Sequence, residues 1–283
     1  MKMIDSADYM IPGPSGRISV RCKAFNNFSE NVVVLVQGAN ISGVAGYDLS
    51  FDGGEHYSFM DALADRGIAS VTFSIRGYAE SELDGDPLTV QTDQAIEDLA
   101  AVIDWLNTEG VSKPHLLGWS WGGRIVGRYA EVYPNRLDRL VLLDPALGGG
   151  QLILPAPTEG WWDNTYEYFM DRLEDEFTDL PAKEALARYV SQNEPKSPNG
   201  IRQENAEGSV PADPTKIINP TLMIYGSAAG GQNYMKGSSP RTEFYEALGT
   251  EDKALVVIPG GGDYAHIQNP RRRFHKAIAE FLN

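Results

Sequence analysis

Short runs of apolar, mostly β-branched residues alternate along the chain with longer segments whose apolar residues recur every three or four positions. The short runs predict β-strands and the longer segments predict helices. This alternation is typical of a parallel sheet whose strands are joined by crossover helices. The predicted strands are RISVRCKAF (17–25), VVVLVQ (32–37), ASVTFSI (69–75), PHLLGW (114–119), RLVLLD (139–144), TLMIYG (221–226) and KALVVIP (253–259).

Two segments show the helical period most clearly. HYSFMDALADRG (56–67) and QTDQAIEDLAAVIDWLNTEG (91–110) each end at a glycine, the residue that most often follows a helix C-terminus. Because several predicted strands are apolar at every position, both faces of the sheet must be covered. The pattern therefore predicts an α/β fold, with a mostly parallel sheet flanked by helices on both faces.

The alternation breaks between residues 147 and 217, where glycine and proline flank a helical middle, WWDNTYEYFMDRLEDEF. The residues predicted to share one face of that helix are Trp162, Tyr166, Phe169, Leu173 and Phe177. We interpret 147–217 as a helical cap inserted into a core formed by residues 1–146 and 218–283.

Composition excludes several classes of function. With 283 residues and a formal charge of −15, the chain would be repelled by nucleic acid and by anionic membrane surfaces, so we expect neither as a partner. The lone cysteine, Cys22, excludes an internal disulfide and a multi-cysteine zinc site, and no HExxH pattern occurs. We expect no metal and no cofactor. Without a signal peptide or a long apolar segment, the expected location is the cytoplasm.

The serine-centred motif Gly118-Trp119-Ser120-Trp121-Gly122 has the form G-x-S-x-G. An apolar strand runs into it, and GRIVGRYAEVYP continues as a helix. A serine on such a tight strand-to-helix turn projects its hydroxyl from the sheet edge, next to the positive end of the helix. We therefore predict Ser120 as a nucleophile.

A serine hydroxyl needs a base, and histidine is the usual one. Of the four histidines, His56 starts a helix, His115 lies within a strand, and His275 lies in the terminal helix. His266 follows the last strand across the glycine-rich loop PGGGDYAHIQNP, at the sheet edge where ligands bind in open α/β sheets. The sequence therefore predicts His266 as the catalytic base.

These landmarks together resemble the α/β-hydrolase superfamily over nearly the whole chain. The elbow at Ser120, the late His266, SIRGYAES (74–81) and VVVLVQGAN (32–40) occur in the order that the superfamily shows. The resemblance implies an esterase- or lipase-like serine hydrolase with no cofactor.

The resemblance also implies an oxyanion hole, formed by two backbone N–H groups. The matching positions are Ala39, in the loop after the second predicted strand, and Trp121, directly after the nucleophile. Gln37 stands where members of the superfamily usually have histidine. Because the donors are backbone groups, this difference need not abolish the hole, although it removes a side chain that usually braces the loop.

The triad acid departs from the commonest pattern of the superfamily, because the expected position is Ala229. Some members carry the acid one strand earlier, where this chain has Asp144 at the end of RLVLLD. We predict Asp144 as the residue that orients His266. Asp263, three residues before His266, is the alternative, and a dyad without an acid is another.

The predicted activity is hydrolysis of a carboxylic ester or lactone of a small, largely apolar molecule through an acyl-enzyme. Trp161 and Trp162 of the cap are the predicted substrate contacts. Two alternatives stay open: cleavage of a carbon–carbon bond or an amide at the same site, and a catalytically silent homologue that only binds a ligand.

Overall fold

The computed structural model describes residues 6–24, 31–54, 56–152, 155–229, 235–236 and 241–283. The last residue of the first predicted strand, Phe25, lies outside these ranges, as do small parts of the predicted core and cap. The strands are β1 (Ser6–Gly13), β2 (Gly16–Lys23), β3 (Val32–Val36), β4 (Ala69–Phe73), β5 (His115–Trp119), β6 (Leu140–Leu143), β7 (Gln151–Leu152), β8 (Trp161–Asp163), β9 (Lys196–Pro198), β10 (Thr221–Gly226), β11 (Met235–Lys236) and β12 (Lys253–Ile258). The α-helices are α1 (Gly43–Tyr47), α2 (Phe59–Ala64), α3 (Thr92–Thr108), α4 (Trp121–Val132), α5 (Tyr166–Arg172), α6 (Leu180–Asn193), α7 (Gly200–Glu207), α8 (Arg241–Glu246) and α9 (Arg271–Leu282).

In the described part of the chain, the main sheet has eight strands in the order β1-β2-β4-β3-β5-β6-β10-β12. The six strands from β4 to β12 pair in parallel, as the sequence predicts. β2 pairs antiparallel with β4, and β1 adds an antiparallel edge strand that the sequence analysis does not predict. The α/β fold with a mostly parallel sheet is confirmed.

The central strands β3, β4, β5 and β6 are buried at every position. Side chains of α3 and α4 cover one face of the sheet, and those of α1, α2 and α9 cover the other. Burial of each large aliphatic side chain contributes ~1.5–3 kcal/mol, so these two layers hold the C-terminal sheet edge in place. No α-helix in the ranges given above is long and apolar enough to cross a membrane.

The segment predicted as a cap carries β7 to β9 and α5 to α7 between β6 and β10. Its predicted central helix is shorter than expected. Trp162 lies in β8, which pairs with β9, and the helix begins only after Thr165, whose side chain accepts a hydrogen bond from the Tyr168 amide. The prediction that Trp162 belongs to the helical face is therefore wrong, whereas Phe169 is buried in α5 as predicted.

Two buried carboxylates attach the cap to the core. Glu194, at the end of α6, accepts hydrogen bonds from the Ser42 amide (2.7 Å) and hydroxyl (2.5 Å). Glu204, on α7, accepts one from the Thr92 amide at 2.8 Å and one from Arg124 at 3.1 Å. Since a buried carboxylate is stable only when it is paired or hydrogen-bonded, each anchor depends on groups of the core.

Candidate active site

Ser120 occupies a strained turn between β5 and α4. Its φ of 54° and ψ of −116° lie in a region that non-glycine residues rarely adopt. The turn is tight because a Cβ at Gly118 would lie 2.1 Å from the Gly122 carbonyl oxygen, and one at Gly122 would lie 2.3 Å from that of Val36. The Ser120 side chain does not cap α4, so its hydroxyl is available at the sheet edge.

A cavity of about 1120 Å³ lies between this edge and the cap. Ser120 is half-buried and lines the cavity floor. The core contributes Ala39, Asn40, Trp119, Trp121, Asp144, Asp263 and Tyr264 to the lining, and the cap contributes Pro155, Pro157, Trp161, Trp162, Tyr168, Arg172 and Arg202 among others. The predicted nucleophile, the two predicted oxyanion positions and both predicted cap contacts therefore meet in one space.

The loop that carries Ala39 packs closely on the elbow. A Cβ at Gly38 would lie 3.0 Å from the Trp119 ring, and the Ala39 carbonyl accepts a 2.7 Å hydrogen bond from the Tyr78 hydroxyl. Within the described ranges, neither the Ala39 amide nor the Trp121 amide donates a hydrogen bond. Both N–H groups are thus available to a ligand in the cavity.

Gln37 braces this loop in place of the usual histidine. Its side chain is fully buried, and its Oε1 accepts a 3.1 Å hydrogen bond from the Ile75 amide at the end of β4. The contact ties two adjacent strand ends together. The substitution therefore retains a loop-bracing side chain.

His266 does not take the predicted place beside Ser120. Its Nε2 donates a 3.0 Å hydrogen bond to the Gly46 carbonyl oxygen, and its ring packs against Trp119 and Tyr47, with centroids 4.6 and 5.6 Å apart. It is fully buried and does not line the cavity. Burial, together with His275, lowers its pKa to about 3, so it is neutral at physiological pH.

The direction of the loop after β12 explains why His266 lies away from Ser120. Within that loop, Asp263 and Tyr264 face the cavity, and the chain then turns so that His266 points into the layer behind Trp119. No hydrogen bond joins His266 to Ser120 or Asp144 in the described structure, and its Nδ1 has no partner there. The predicted Ser120–His266–Asp144 triad is therefore not formed.

Asp144 lies at the predicted edge but with a different partner. It follows β6 with a φ of 42°, and its Oδ1 is 2.5 Å from Nη2 of Arg241. Only 4% of the residue is exposed. Burial raises the pKa of Asp144 to about 8; the positive charges of Arg241 and Arg172 oppose the rise, and the nearby Asp263 adds to it.

Asp263, the alternative acid, forms an ion pair with the cap. Its Oδ2 is 2.5 Å from Nη2 of Arg172, and its carbonyl oxygen accepts a 2.7 Å hydrogen bond from the Trp119 indole. It does not contact His266 through a hydrogen bond in the described structure. Neither predicted acid therefore orients the predicted base.

Arg202, on α7, is a cavity residue that the sequence analysis misses. Its guanidinium carbon lies 3.9 Å from the centroid of the Trp162 ring, and its Nη2 donates a 2.7 Å hydrogen bond to Asn40 Oδ1. No carboxylate pairs with it among the described residues. The cavity therefore combines aromatic surface with a half-buried positive charge.

The sequence matches one known family and several known proteins. The model of the family described as alpha/beta hydrolase fold matches residues 31–270. The 2-hydroxy-6-oxononadienedioate/2-hydroxy-6-oxononatrienedioate hydrolase of Paraburkholderia phymatum is 30% identical over 104 residues, 37% of this chain and 35% of that protein. The 2-hydroxy-6-oxo-6-phenylhexa-2,4-dienoate hydrolase of Comamonas testosteroni is 24% identical over 136 residues, 48% and 44%. The matched stretch spans less than half of either relative.

Solved structures match a larger share of the chain than the related sequences do, at lower sequence identity. A meta-cleavage product hydrolase from Pseudomonas fluorescens IP01 superposes with a TM-score of 0.68 at 18% identity, covering 97% of both chains. A monoacylglycerol lipase from Paleococcus ferrophilus gives a TM-score of 0.65 at 20% identity, covering 99% of this chain and 98% of the other. At these identities the likeness establishes the fold.

Proposed function

Because the chain belongs to the α/β-hydrolase family, we propose that it hydrolyses a carboxylic ester or lactone, with Ser120 as the nucleophile. The observation that carries the proposal is the strained conformation of Ser120 on the cavity floor, next to the Ala39 and Trp121 amides. Backbone strain of this kind costs ~1–3 kcal/mol and is concentrated at functional sites.

The reaction proceeds through an acyl-enzyme. Ser120 Oγ attacks the carbonyl carbon, and the negative charge that develops on the carbonyl oxygen is stabilised by the Ala39 and Trp121 N–H groups. Expulsion of the alcohol leaves the acyl group on Ser120, and water then releases the acid. No metal or cofactor takes part in the proposed reaction.

The cavity lining favours a largely apolar substrate of moderate size. Pockets of ~300–1,000 Å³ hold drug-sized molecules, and the cavity here, at about 1120 Å³, lies slightly above that range. Trp161, Trp162 and the two prolines supply apolar contact, and Arg202 supplies a place for one polar or anionic group.

Arg202 also favours a second candidate, hydrolysis of a carbon–carbon bond beside a ketone. The relatives that match this chain act, by their names, on dienedioates and dienoates, which carry carboxylates. A guanidinium without a carboxylate partner among the described residues, held over Trp162, suits such a group.

A fluorophosphonate probe followed by intact-mass analysis tests the role of Ser120. We expect one covalent adduct on the wild-type protein and none on Ser120→Ala, which keeps the fold because the turn tolerates a smaller side chain. A panel of esters of graded chain length, lactones and 2-hydroxy-6-oxodienoates then separates the two candidates. Absence of both labelling and turnover would support the ligand-binding alternative instead.

A further inference from the structure

The proton on Ser120 needs an acceptor other than histidine. All four histidines lie in the described ranges, and none lines the cavity. His275 Nε2 is engaged 2.8 Å from the His266 carbonyl, and His115 faces Asp138 at the opposite end of the strands. The acceptor is therefore sought among the carboxylates of the cavity lining, which are Asp144, Glu159, Asp163 and Asp263.

Asp144 is the carboxylate that the sheet places beside Ser120. Trp119 pairs with Leu143 in the parallel register of β5 and β6, so the next residue on each strand is Ser120 and Asp144. Backbone hydrogen bonds bracket the pair: the Ser120 amide donates to Leu143 at 3.0 Å, and the Ala146 amide donates to Ser120 at 2.9 Å. Neighbouring strands lie ~4.8 Å apart, so the two residues are side by side where both strands end at the cavity.

We infer that Asp144 is the general base of the reaction, accepting the proton of Ser120 in the step that histidine performs elsewhere. The inference rests on the proposed function. Asp144 and Ser120 both line the cavity, and both have positive φ values at a strand end. Glu159 and Asp163 belong to the cap, and Asp263 follows β12, which β6 and β10 separate from β5.

The proposed proton transfers need water as the only co-reactant. The Asp144 carboxylate takes the proton from Ser120 Oγ while the Oγ electron pair forms the bond to the carbonyl carbon. As the tetrahedral intermediate collapses, the carbon–oxygen bond to the alcohol breaks, and the leaving oxygen takes the proton from Asp144. In the second half, Asp144 accepts a proton from water, the oxygen of that water attacks the acyl carbon, and the proton returns to Ser120 as the acid leaves.

The surroundings of Asp144 suit a base. The groups that act on it are Arg241 on α8, Arg172 on α5, and Asp263 in the loop after β12. Arg241 holds Oδ1, which fixes the orientation of the carboxylate. With its pKa raised to about 8, chiefly by burial, Asp144 is a far stronger base than an exposed aspartate.

The test compares Asp144→Asn with Asp138→Asn, a matched change just before the opposite end of the same strand, β6. Hydrolysis of an uncharged ester, or the panel substrate that is turned over fastest, is followed between pH 5.5 and 9.5, with Ser120→Ala as the background. We expect Asp144→Asn to lose ~10²–10⁴-fold in kcat/KM, the range that a general base contributes, and Asp138→Asn to keep wild-type activity.

The pH profile supplies a readout that a structural role would not change. The wild-type kcat/KM should rise about tenfold per pH unit up to about pH 8 and then level, because only ionised Asp144 accepts a proton. Arg241→Gln removes a charge that lowers the pKa of Asp144, so it should move this midpoint to higher pH. This variant keeps the test decisive even if Asp144→Asn fails to fold.

Three outcomes overturn the inference. Asp144→Asn within tenfold of the wild type would do so, as would a profile whose midpoint does not respond to Arg241→Gln. A larger loss in Asp263→Asn than in Asp144→Asn would assign the proton to Asp263 instead. In each case, a probe adduct on Ser120 leaves the proposed function standing, whereas an inactive, unlabelled wild type removes both.

Discussion

The imidazole of His266 packs edge-on against the indole of Trp119, with ring centroids 4.6 Å apart and ring planes at 62°. Trp119 lines the cavity and His266 does not, so the histidine acts as a support behind the wall of the site. Replacing a buried side chain that packs behind the cavity lining should therefore change the stability of the fold more than the rate of the reaction.

We therefore expect His266→Ala to reduce the free energy of unfolding by ~2–4 kcal/mol, since a fully buried ring is replaced by a void. Urea unfolding measures this change. Turnover per folded molecule should stay within tenfold of the wild type. Complete loss of turnover with unchanged stability would return His266 to the role of base.

Stability in acid depends on the two buried histidines, His266 and His275. Burial lowers the pKa of His266 to about 3 and that of His275 to about 4, whereas the unfolded chain binds protons at ordinary histidine pKa values of ~6.5. The unfolded state therefore binds more protons below pH 6.5, and stability falls as the pH decreases from there.

His275→Gln isolates one of these contributions. The difference in unfolding free energy between wild type and variant should change by ~1 kcal/mol per pH unit between pH 6.5 and 4.5, in the direction that favours the variant in acid. Titrating groups that do not interact with His275, Asp144 included, cancel in this difference. A difference independent of pH would show that the pKa of His275 is the same in the folded and the unfolded state.

Two glycines of α4 form a matched pair for testing the elbow. A Cβ at Gly122 would lie 2.3 Å from the Val36 carbonyl oxygen, whereas one at Gly127 would make an ordinary 3.4 Å contact with Ala212. We expect Gly122→Ala to cost ~1–3 kcal/mol of stability and most of the turnover, because α4 must move away from β3. Gly127→Ala should be neutral or stabilising by up to ~1 kcal/mol. Equal behaviour of the two variants in thermal unfolding would contradict the tight turn.

Arg202 of the cap is expected to select substrates by their charge. Arg202→Gln should raise KM for anionic substrates by at least tenfold and change KM for uncharged esters little, because only the former use the guanidinium. Arg188→Gln, an exposed change on α6, is the control.

Trp162→Ala removes the ring over which Arg202 is held at 3.9 Å, so it should alter the ranking of substrates more than the maximal rate on the smallest ester. Uniform losses across the panel would place both residues in the packing of the cap.

The sequence predicts what depends on neighbouring residues. The parallel strands, the glycine-flanked elbow at Ser120 and the cap segment follow from local periodicity and from close backbone approach, which the chain encodes within a few positions. The edge strand β1 escapes prediction, since Pro12 interrupts its pattern and its pairing depends on β2.

The polar part of the site could not be predicted in the same way. Asp144 and Arg241 are 97 positions apart, and Asp263 and Arg172 are 91 apart, so no local pattern joins them. The orientation of His266 depends on how the loop after β12 turns against Trp119 and Gly46, which is set by tertiary packing. A histidine in the expected stretch of sequence thus faces away from the expected site.

The anchors at Glu194 and Glu204 determine how molecules reach the cavity. Each carboxylate is buried and bonded to backbone and side chain of the core, so moving the cap away would leave buried groups of the core without their hydrogen-bond partners at two separate points. We therefore expect the cap to stay closed during turnover and molecules to enter beside Trp161, which lines the cavity and is 38% exposed. Entry beside this indole would select molecules by their width before they meet Ser120.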